Sequence, residues 1–133
     1  MIAAFLPALL AYLTYMGSGL ALLALFAVIY CWVTPIDELK LIRDNGHAAA
    51  VSFAGALLGF SLTLASSAWH LNNWNSFMLW ALLAMLVQIV VHMVVARCLK
   101  DLSRALIDNN LAMGILAGSI HLAVGLINAG SLS

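Results

Sequence analysis

One long uncharged stretch decides the fold: residues 45–96 read NGHAAAVSFAGALLGFSLTLASSAWHLNNWNSFMLWALLAMLVQIVVHMVVA. About 20 apolar residues already span a bilayer, so this stretch is long enough for two membrane-spanning helices. Its middle, residues 66–76, is polar, rich in asparagine and flanked by tryptophan, which is typical of a turn at a membrane surface. The pattern predicts helices over about residues 47–66 and 76–97.

Outside this stretch, the charged residues fall in two short segments, 37–44 and 97–108. Apolar sequence flanks both segments and predicts two more spans, at about 9–33 and 111–130. The chain is 65% hydrophobic and 8% charged, whereas soluble domains carry about 25% charged residues. Because a span must satisfy its backbone polar groups internally, these spans are expected to be helical. We therefore predict an all-α polytopic transmembrane four-helix bundle, a single domain over 1–133.

The basic residues set the expected orientation. All five Lys and Arg residues lie in the two charged segments, and basic loops remain on the cytoplasmic side of a membrane. Both termini and the 66–76 turn are then expected outside. The first span leaves two alternatives open, since residues 1–8 either extend a long, tilted helix or form a separate interfacial piece. The zero net charge gives no basic footprint for nucleic acid.

The chain also contains an internal repeat. When it is shifted by 64 residues, the two charged segments superimpose with matching residue types, in the pairs Asp37 with Asp101, Lys40 with Arg104, Asp44 with Asp108 and Asn45 with Asn109. Matches among polar residues at fixed spacing are informative in an apolar chain. We predict two tandem helical hairpins, 9–66 and 73–130, in parallel orientation and related by an axis along the membrane normal.

Two motifs carry a family resemblance. Residues 34–45 read Thr-Pro-x-Asp-Glu-x-x-Leu-Ile-Arg-Asp-Asn, and residues 107–114 read Ile-Asp-Asn-Asn-x-Ala-x-Gly. With the Gly-x-x-Asn-Ala ending at 125–129, the chain resembles the YjfL-type bacterial inner-membrane proteins of domain-of-unknown-function family 350. The resemblance implies a bacterial inner-membrane protein built from tandem two-helix units. It also implies a gene neighbourhood of membrane-stress proteins or polyamine-ligase-like enzymes, and it supplies no catalytic residue.

The charged segments are amphipathic at helical spacing, so short helices at the inner interface are expected. Two interpretations remain open. The charged segments either anchor the topology as solvated loops or form a docking surface for a cytoplasmic partner. The docking candidates are Asp37, Lys40, Arg43, Asp101 and Arg104.

Two further residue sets favour structural interpretations. Asp and Asn residues just before the second and fourth spans are expected to cap those helices, namely Asp44, Asn45, Asp108 and Asn109. Small residues recur along the same two spans and favour close helix packing, within or between protomers, over a lumen. The packing candidates are Gly55, Gly59, Gly114, Gly118 and Gly125. Such faces predict a homo-oligomer in the lipid bilayer.

Four polar residues lie within the third and fourth predicted spans: Gln88, His92, His121 and Asn128. Intramembrane polar groups usually face the protein interior, where they either hydrogen bond between helices or line a polar conduit. Interhelical hydrogen bonding is the favoured interpretation. The spans carry no Asp or Glu, which counts against a carboxylate-driven carrier. No catalytic arrangement, cofactor or metal site is predicted.

The leading functional hypothesis is a non-enzymatic, self-assembling inner-membrane protein that serves membrane maintenance or stress response and recruits partners through its cytoplasmic segments. The alternative is a small oligomeric channel or transporter that uses the polar residues of the third and fourth spans.

Overall fold

The computed structural model describes residues 1–99 and 101–132, and over these ranges it is entirely helical. Lys100 of the second charged segment lies outside the described residues. Four long apolar helices could each cross a membrane, as the sequence predicts, and two short helices lie between them. In chain order the helices are α1 (Ile2–Val33), α2 (Glu38–Arg43), α3 (His47–His70), α4 (Trp74–Cys98), α5 (Leu102–Ile107) and α6 (Leu111–Ser131).

The long helices extend beyond the ranges expected from sequence. Residues 1–8 are not a separate piece, because α1 is continuous from Ile2. The polar run after residue 66 stays helical, since the Ser67 hydroxyl donates to the Thr63 carbonyl one turn earlier and so remains satisfied within the helix. The turn therefore shrinks to Leu71–Asn73, and the Asn73 side chain accepts the Ser76 N–H at the start of α4.

Helices α3 and α6 run side by side in the same direction and form the most extensive contact in the bundle. Glycines make this contact close: a Cβ added at Gly55 would lie 2.1 Å from the Gly118 carbonyl oxygen, and one at Gly125 would lie 2.3 Å from the Gly59 Cα. Gly114 is pressed against Ala48 in the same way. The five packing candidates thus belong to one interface inside the chain. They are not free to build an oligomer, so that part of the self-assembly hypothesis needs another surface.

Helices α1 and α4 pack against this pair and complete the core. Phe26, Tyr30 and Phe60 are fully buried between α1 and α3, with the rings of Phe26 and Phe60 stacked at 4.7 Å. Large apolar side chains cover the outside of the bundle along all four long helices. Such an apolar surface suits a lipid environment.

The two charged segments fold into matching elbows at one end of the bundle, which we name the charged end. Asn45 and Asn109, 64 residues apart, both adopt left-handed backbone conformations, with φ of 69° and 56°. At the same spacing, Gly46 N–H donates to the Leu41 carbonyl and Asn110 N–H donates to the Ala105 carbonyl. Each elbow thus reverses the chain between a short helix and a long one.

The elbows change the expected capping pattern. Asp44 and Asp108 end α2 and α5 and do not begin the long helices, whose N-caps are Gly46 and Asn110. The extra left-handed residue in each elbow displaces the cap by one position from the expected sites. Asn109 does cap a helix, but across the interface, because its Oδ1 accepts the Ala48 N–H of α3 at 3.0 Å.

Replacing Asn109 by alanine is expected to destabilise the bundle by about 1–2 kcal/mol, since the change removes an N-terminal cap and places Ala in a left-handed conformation. Asn45→Ala is the matched control. It shares the backbone cost, and the structure shows no such cap from its side chain. Unfolding in detergent measures the free energy of unfolding of both variants, and Asn45→Ala should be the more stable by about 1 kcal/mol. Equal losses would mean that the Asn109–Ala48 bond does not contribute.

Candidate functional site

Three of the four polar candidates meet inside the bundle. The Gln88 amide of α4 donates to the His121 carbonyl of α6 at 2.9 Å, and His92 Nδ1 lies 3.3 Å from His121 Nε2. All three side chains are at most 4% exposed. Asn128 is half-buried two turns further along α6 and lies apart from them. Gln88 and His121 therefore lie at a similar depth in the bundle.

Helix α1 adds a threonine to this group, and it gives the hydrogen bonds a direction. The Thr34 hydroxyl lies 2.7 Å from the Tyr30 carbonyl and 2.9 Å from His92 Nε2. A hydroxyl has one proton. Because that proton goes to the carbonyl, His92 Nε2–H must be the donor to Thr34. His92 Nδ1 is then an acceptor, and in this assignment His121 Nε2–H donates to it.

Tyr30 connects this group to α2. Its ring lies 4.1 Å from the His92 ring and 6.0 Å from the His121 ring, measured between centroids. Its hydroxyl is fully buried and lies beside the Ser52 hydroxyl of α3 and the Glu38 carboxyl of α2. The sequence alone did not identify any of these three side chains as a candidate site residue.

Glu38 is the least expected member of the site. It belongs to a charged segment, yet it is 1% exposed. Asp37 caps α2 by accepting the Lys40 N–H, which starts the short helix directly after the Pro35 turn. This start points Glu38 into the bundle while Leu39 and Lys40 remain exposed. The absence of Asp and Glu from the spans therefore does not exclude a carboxylate in the interior.

Burial raises the pKa of Glu38 to about 7, and the neighbouring Tyr30 hydroxyl acts in the opposite direction. Neither carboxyl oxygen makes a hydrogen bond of good geometry, although the Tyr30 hydroxyl lies close enough to interact with the carboxyl. Other buried polar atoms of the same group also lack a hydrogen bond of good geometry: Tyr30 hydroxyl, Ser52 Oγ, Gln88 Oε1 and His121 Nδ1. Buried polar groups normally find partners because leaving one unpaired costs about 1–3 kcal/mol. A concentration of such atoms makes this group the candidate site.

We call this group the polar cluster. Its members come from all four long helices, including the C-cap of α1, and from α2. They extend from the charged end to the middle of the bundle, a distance of about 15 Å along α4 and α6. The polar cluster comprises Tyr30, Thr34, Glu38, Ser52, Gln88, His92 and His121.

No member of the polar cluster has a polar counterpart 64 residues away in the other half of the chain. A shift of 64 residues pairs Glu38 with Leu102, which is also buried and belongs to the matching elbow. The other shifted positions carry no acid, amide, imidazole or hydroxyl: Ala24, Val28, Leu57, Val94, Cys98 and Leu116. Each of these positions therefore has an equivalent in the repeat that carries none of these polar groups. This comparison between halves is the sequence signal that could have revealed the site.

The docking candidates lie on the surface of the charged end, where all five are exposed. Asp37 and Lys40 line a groove of about 410 Å³ together with Asp44 and with Ile107 of α5. The groove thus joins the two halves of the chain. Arg43 donates from Nε to the Leu39 carbonyl of its own helix, and Asp101 adopts a left-handed conformation at the start of α5.

Four apolar membrane-spanning helices around a buried polar cluster define a polytopic α-helical membrane protein. The chain belongs to the family described as Domain of Unknown Function (DUF350), whose model matches residues 3–132, so the motif resemblance is confirmed. It is 34% identical over 128 residues to UPF0719 inner membrane protein YjfL of Escherichia coli (strain K12), covering 96% of this chain and 97% of the relative. The protein of the same name in Escherichia coli O157:H7 matches equally. No solved structure matches the chain.

Proposed function

We propose that this protein is a non-enzymatic ion-translocating protein of the inner membrane and that the polar cluster forms the first half of its pathway. The main support for this proposal is the polar cluster itself. Its seven buried polar side chains extend from the charged end to the middle of the bundle, and several of their polar atoms make no hydrogen bond of good geometry. Intramembrane polar groups with this placement mark ion pathways and proton relays.

Hydroxyl groups between α3 and α6 supply the second half of the pathway. The Gln88 amide packs against Gly59, and one turn further the Thr63 hydroxyl reaches the carbonyls of Gly59 and Gly125. Ser66 Oγ then donates to the Ala129 carbonyl at 2.6 Å, close to the opposite end of both helices. Polar side chains therefore follow the α3–α6 interface through most of its length.

The test is flux into proteoliposomes that contain the purified protein, under pH, Na⁺ and K⁺ gradients in turn. We expect flux for at least one ion and its loss in His121→Leu, because that change removes the group between Gln88 and His92. His47→Leu is the matched control, since His47 is an exposed histidine at the start of α3. Tight vesicles under every gradient, or equal flux in both variants, would refute the proposal.

The charged end is placed in the cytoplasm in this proposal, so both termini lie outside. The basic residues that the structure describes all lie at or near that end, as basic residues on the cytoplasmic side would; they are Lys40, Arg43, Arg97 and Arg104. Cys98, which is exposed at the end of α4, is a native probe. With Cys31→Ser as background, a membrane-impermeant maleimide should label Cys98 in inverted vesicles and leave it unlabelled in spheroplasts. The reverse pattern would invert the topology.

A second candidate function is partner recruitment at the charged end, in the service of membrane maintenance. The specific observation is the groove shared by α2 and α5, which presents Asp37 and Lys40 beside the exposed apolar Ile107. Replacing Asp37, Lys40, Asp101 and Arg104 together should abolish co-purification of any partner and leave the fold intact. Unchanged co-purification would exclude these residues as the docking surface. Self-association, in this view, uses the lipid-facing side of α1, which is largely unpartnered within the chain.

A further inference from the structure

Four oxygen atoms that make no hydrogen bond of good geometry come together where α1, α2 and α3 meet at the charged end. They are both carboxyl oxygens of Glu38, the hydroxyl of Tyr30 and Oγ of Ser52. All three side chains are at most 1% exposed. Three separate elements supply these atoms, so no single helix accounts for the arrangement.

This oxygen site carries a carboxyl group without a counterion. Within residues 1–99 and 101–132, no basic side chain pairs with Glu38, and the side chain that interacts with its carboxyl is Tyr30. A buried, unpaired carboxylate is costly, and such a group avoids the cost by binding a proton. Divalent metal cations need more oxygen ligands than this site offers, because calcium takes about 6–8 and magnesium about six in octahedral geometry. Four side-chain oxygens, only one group of them charged, fit a proton better.

We propose that the ion is a proton and that the Glu38 carboxylate is the group that takes it up from solution at the charged end. This inference rests on the function proposed above and names its substrate. One Glu38 oxygen gains the proton and the carboxyl becomes neutral; release of that proton restores the carboxylate. Tyr30 lies between this carboxyl and the His92 ring, so it connects the uptake site to the His92–His121 pair.

The position of the titration follows from the surroundings of the carboxyl. The titratable groups that interact with Glu38 are Tyr30 and Cys31 on α1, α3 presents the Ser52 hydroxyl, and Asp37 precedes it on its own segment. Burial raises its pKa to about 7 from an ordinary 4.5. The docking of α2 is therefore most stable below the ordinary pKa, where the group is neutral in every state. That stability falls as the pH rises from about 4.5 to about 7, because the carboxyl loses its proton more readily when exposed than when buried.

Glu38 is the only glutamate of the sequence, so glutamate labelled with ¹³C at the side-chain carboxyl reports on this site alone. We would titrate the labelled protein in lipid vesicles by solid-state NMR, with choline as the only other cation. The expected result is one carboxyl resonance that titrates close to pH 7. The matched control, Glu38→Gln with Asp44→Glu, moves the sole glutamate to an exposed position at the end of α2. There it should titrate near the ordinary glutamate pKa of 4.5.

Titration of Glu38 near the control value would overturn the inference. So would a midpoint that falls strongly when Na⁺ or K⁺ replaces choline, because a metal cation would then compete for the site. The proton-flux assay separates the two proposals. A midpoint near pH 7 in vesicles that stay tight to every ion would refute translocation and leave proton binding at Glu38 standing. Ion flux together with an ordinary Glu38 midpoint would do the opposite.

Discussion

Replacing Gly55 by leucine is expected to force α3 and α6 apart. Even a Cβ at this position would lie 2.1 Å from the Gly118 carbonyl oxygen and 2.5 Å from the Gly118 Cα. Backbone atoms cannot rotate away as a flexible side chain can, so the two helices must separate along the main interface of the bundle. We expect a loss of more than about 4 kcal/mol, which places this change among the most damaging single substitutions. Unfolding by SDS titration in mixed micelles measures it.

Gly19→Leu is the matched control for this prediction. Gly19 also lies within a long helix, and a Cβ there has no neighbour within 4 Å. This variant should leave the free energy of unfolding unchanged or raise it slightly, because glycine in a helix interior is less stable than alanine by about 0.5–1 kcal/mol. A Gly55→Leu protein as stable as Gly19→Leu would show that the α3–α6 contact is not the one described here.

Truncating Tyr30 to alanine is the second change with a large expected effect. The ring is fully buried and touches Phe53 at 5.3 Å, His92 at 4.1 Å and Phe26 at 6.0 Å between centroids. In soluble proteins a buried aromatic ring replaced by alanine costs about 3–5 kcal/mol. The apolar transfer part of that cost is small when the separated helices remain in lipid, so we expect about 2–3 kcal/mol from lost packing.

Two companion variants separate packing from chemistry at this position. Tyr12→Ala removes a tyrosine from the exposed part of the same helix and should change stability little. Tyr30→Phe removes only an unpaired hydroxyl and should leave stability unchanged or raise it. If Tyr30→Ala unfolds at the same SDS fraction as Tyr12→Ala, the ring does not hold α1 against the bundle.

Large parts of the architecture could be predicted from the sequence because the bilayer imposes strong rules. Uncharged stretches of sufficient length identified four spans, and the charged segments identified the short helices α2 and α5. Glycine spacing identified the residues of the α3–α6 contact, although not that they contact each other within one chain. Helix ends were less accurate: residues 67–70 look like turn sequence, but hydroxyl and imidazole groups there bond back to their own helix.

Only some members of the candidate site could be predicted from the sequence. Gln88, His92 and His121 stand out because they are polar residues within apolar spans. Glu38 does not stand out, because it is one of five charged residues in a segment that is otherwise exposed. Its burial depends on the Pro35 turn, the Asp37 cap and the approach of α1 and α3, and only the last of these is a tertiary contact. Tyr30 likewise resembles any aromatic core residue until its hydroxyl is seen beside a carboxyl.

We propose that the polar cluster conducts ions and that the bundle does not need it for folding. The most direct measurement uses one variant, Gln88→Leu with His92→Leu and His121→Leu, and records both its stability and its proton flux. The positions 64 residues earlier are apolar in this same chain, and buried polar groups replaced by apolar ones of similar size often leave stability nearly unchanged. We predict an unfolding free energy within about 1 kcal/mol of the parent and no proton flux above protein-free vesicles. Proton flux at the parent rate in this folded variant would contradict the account.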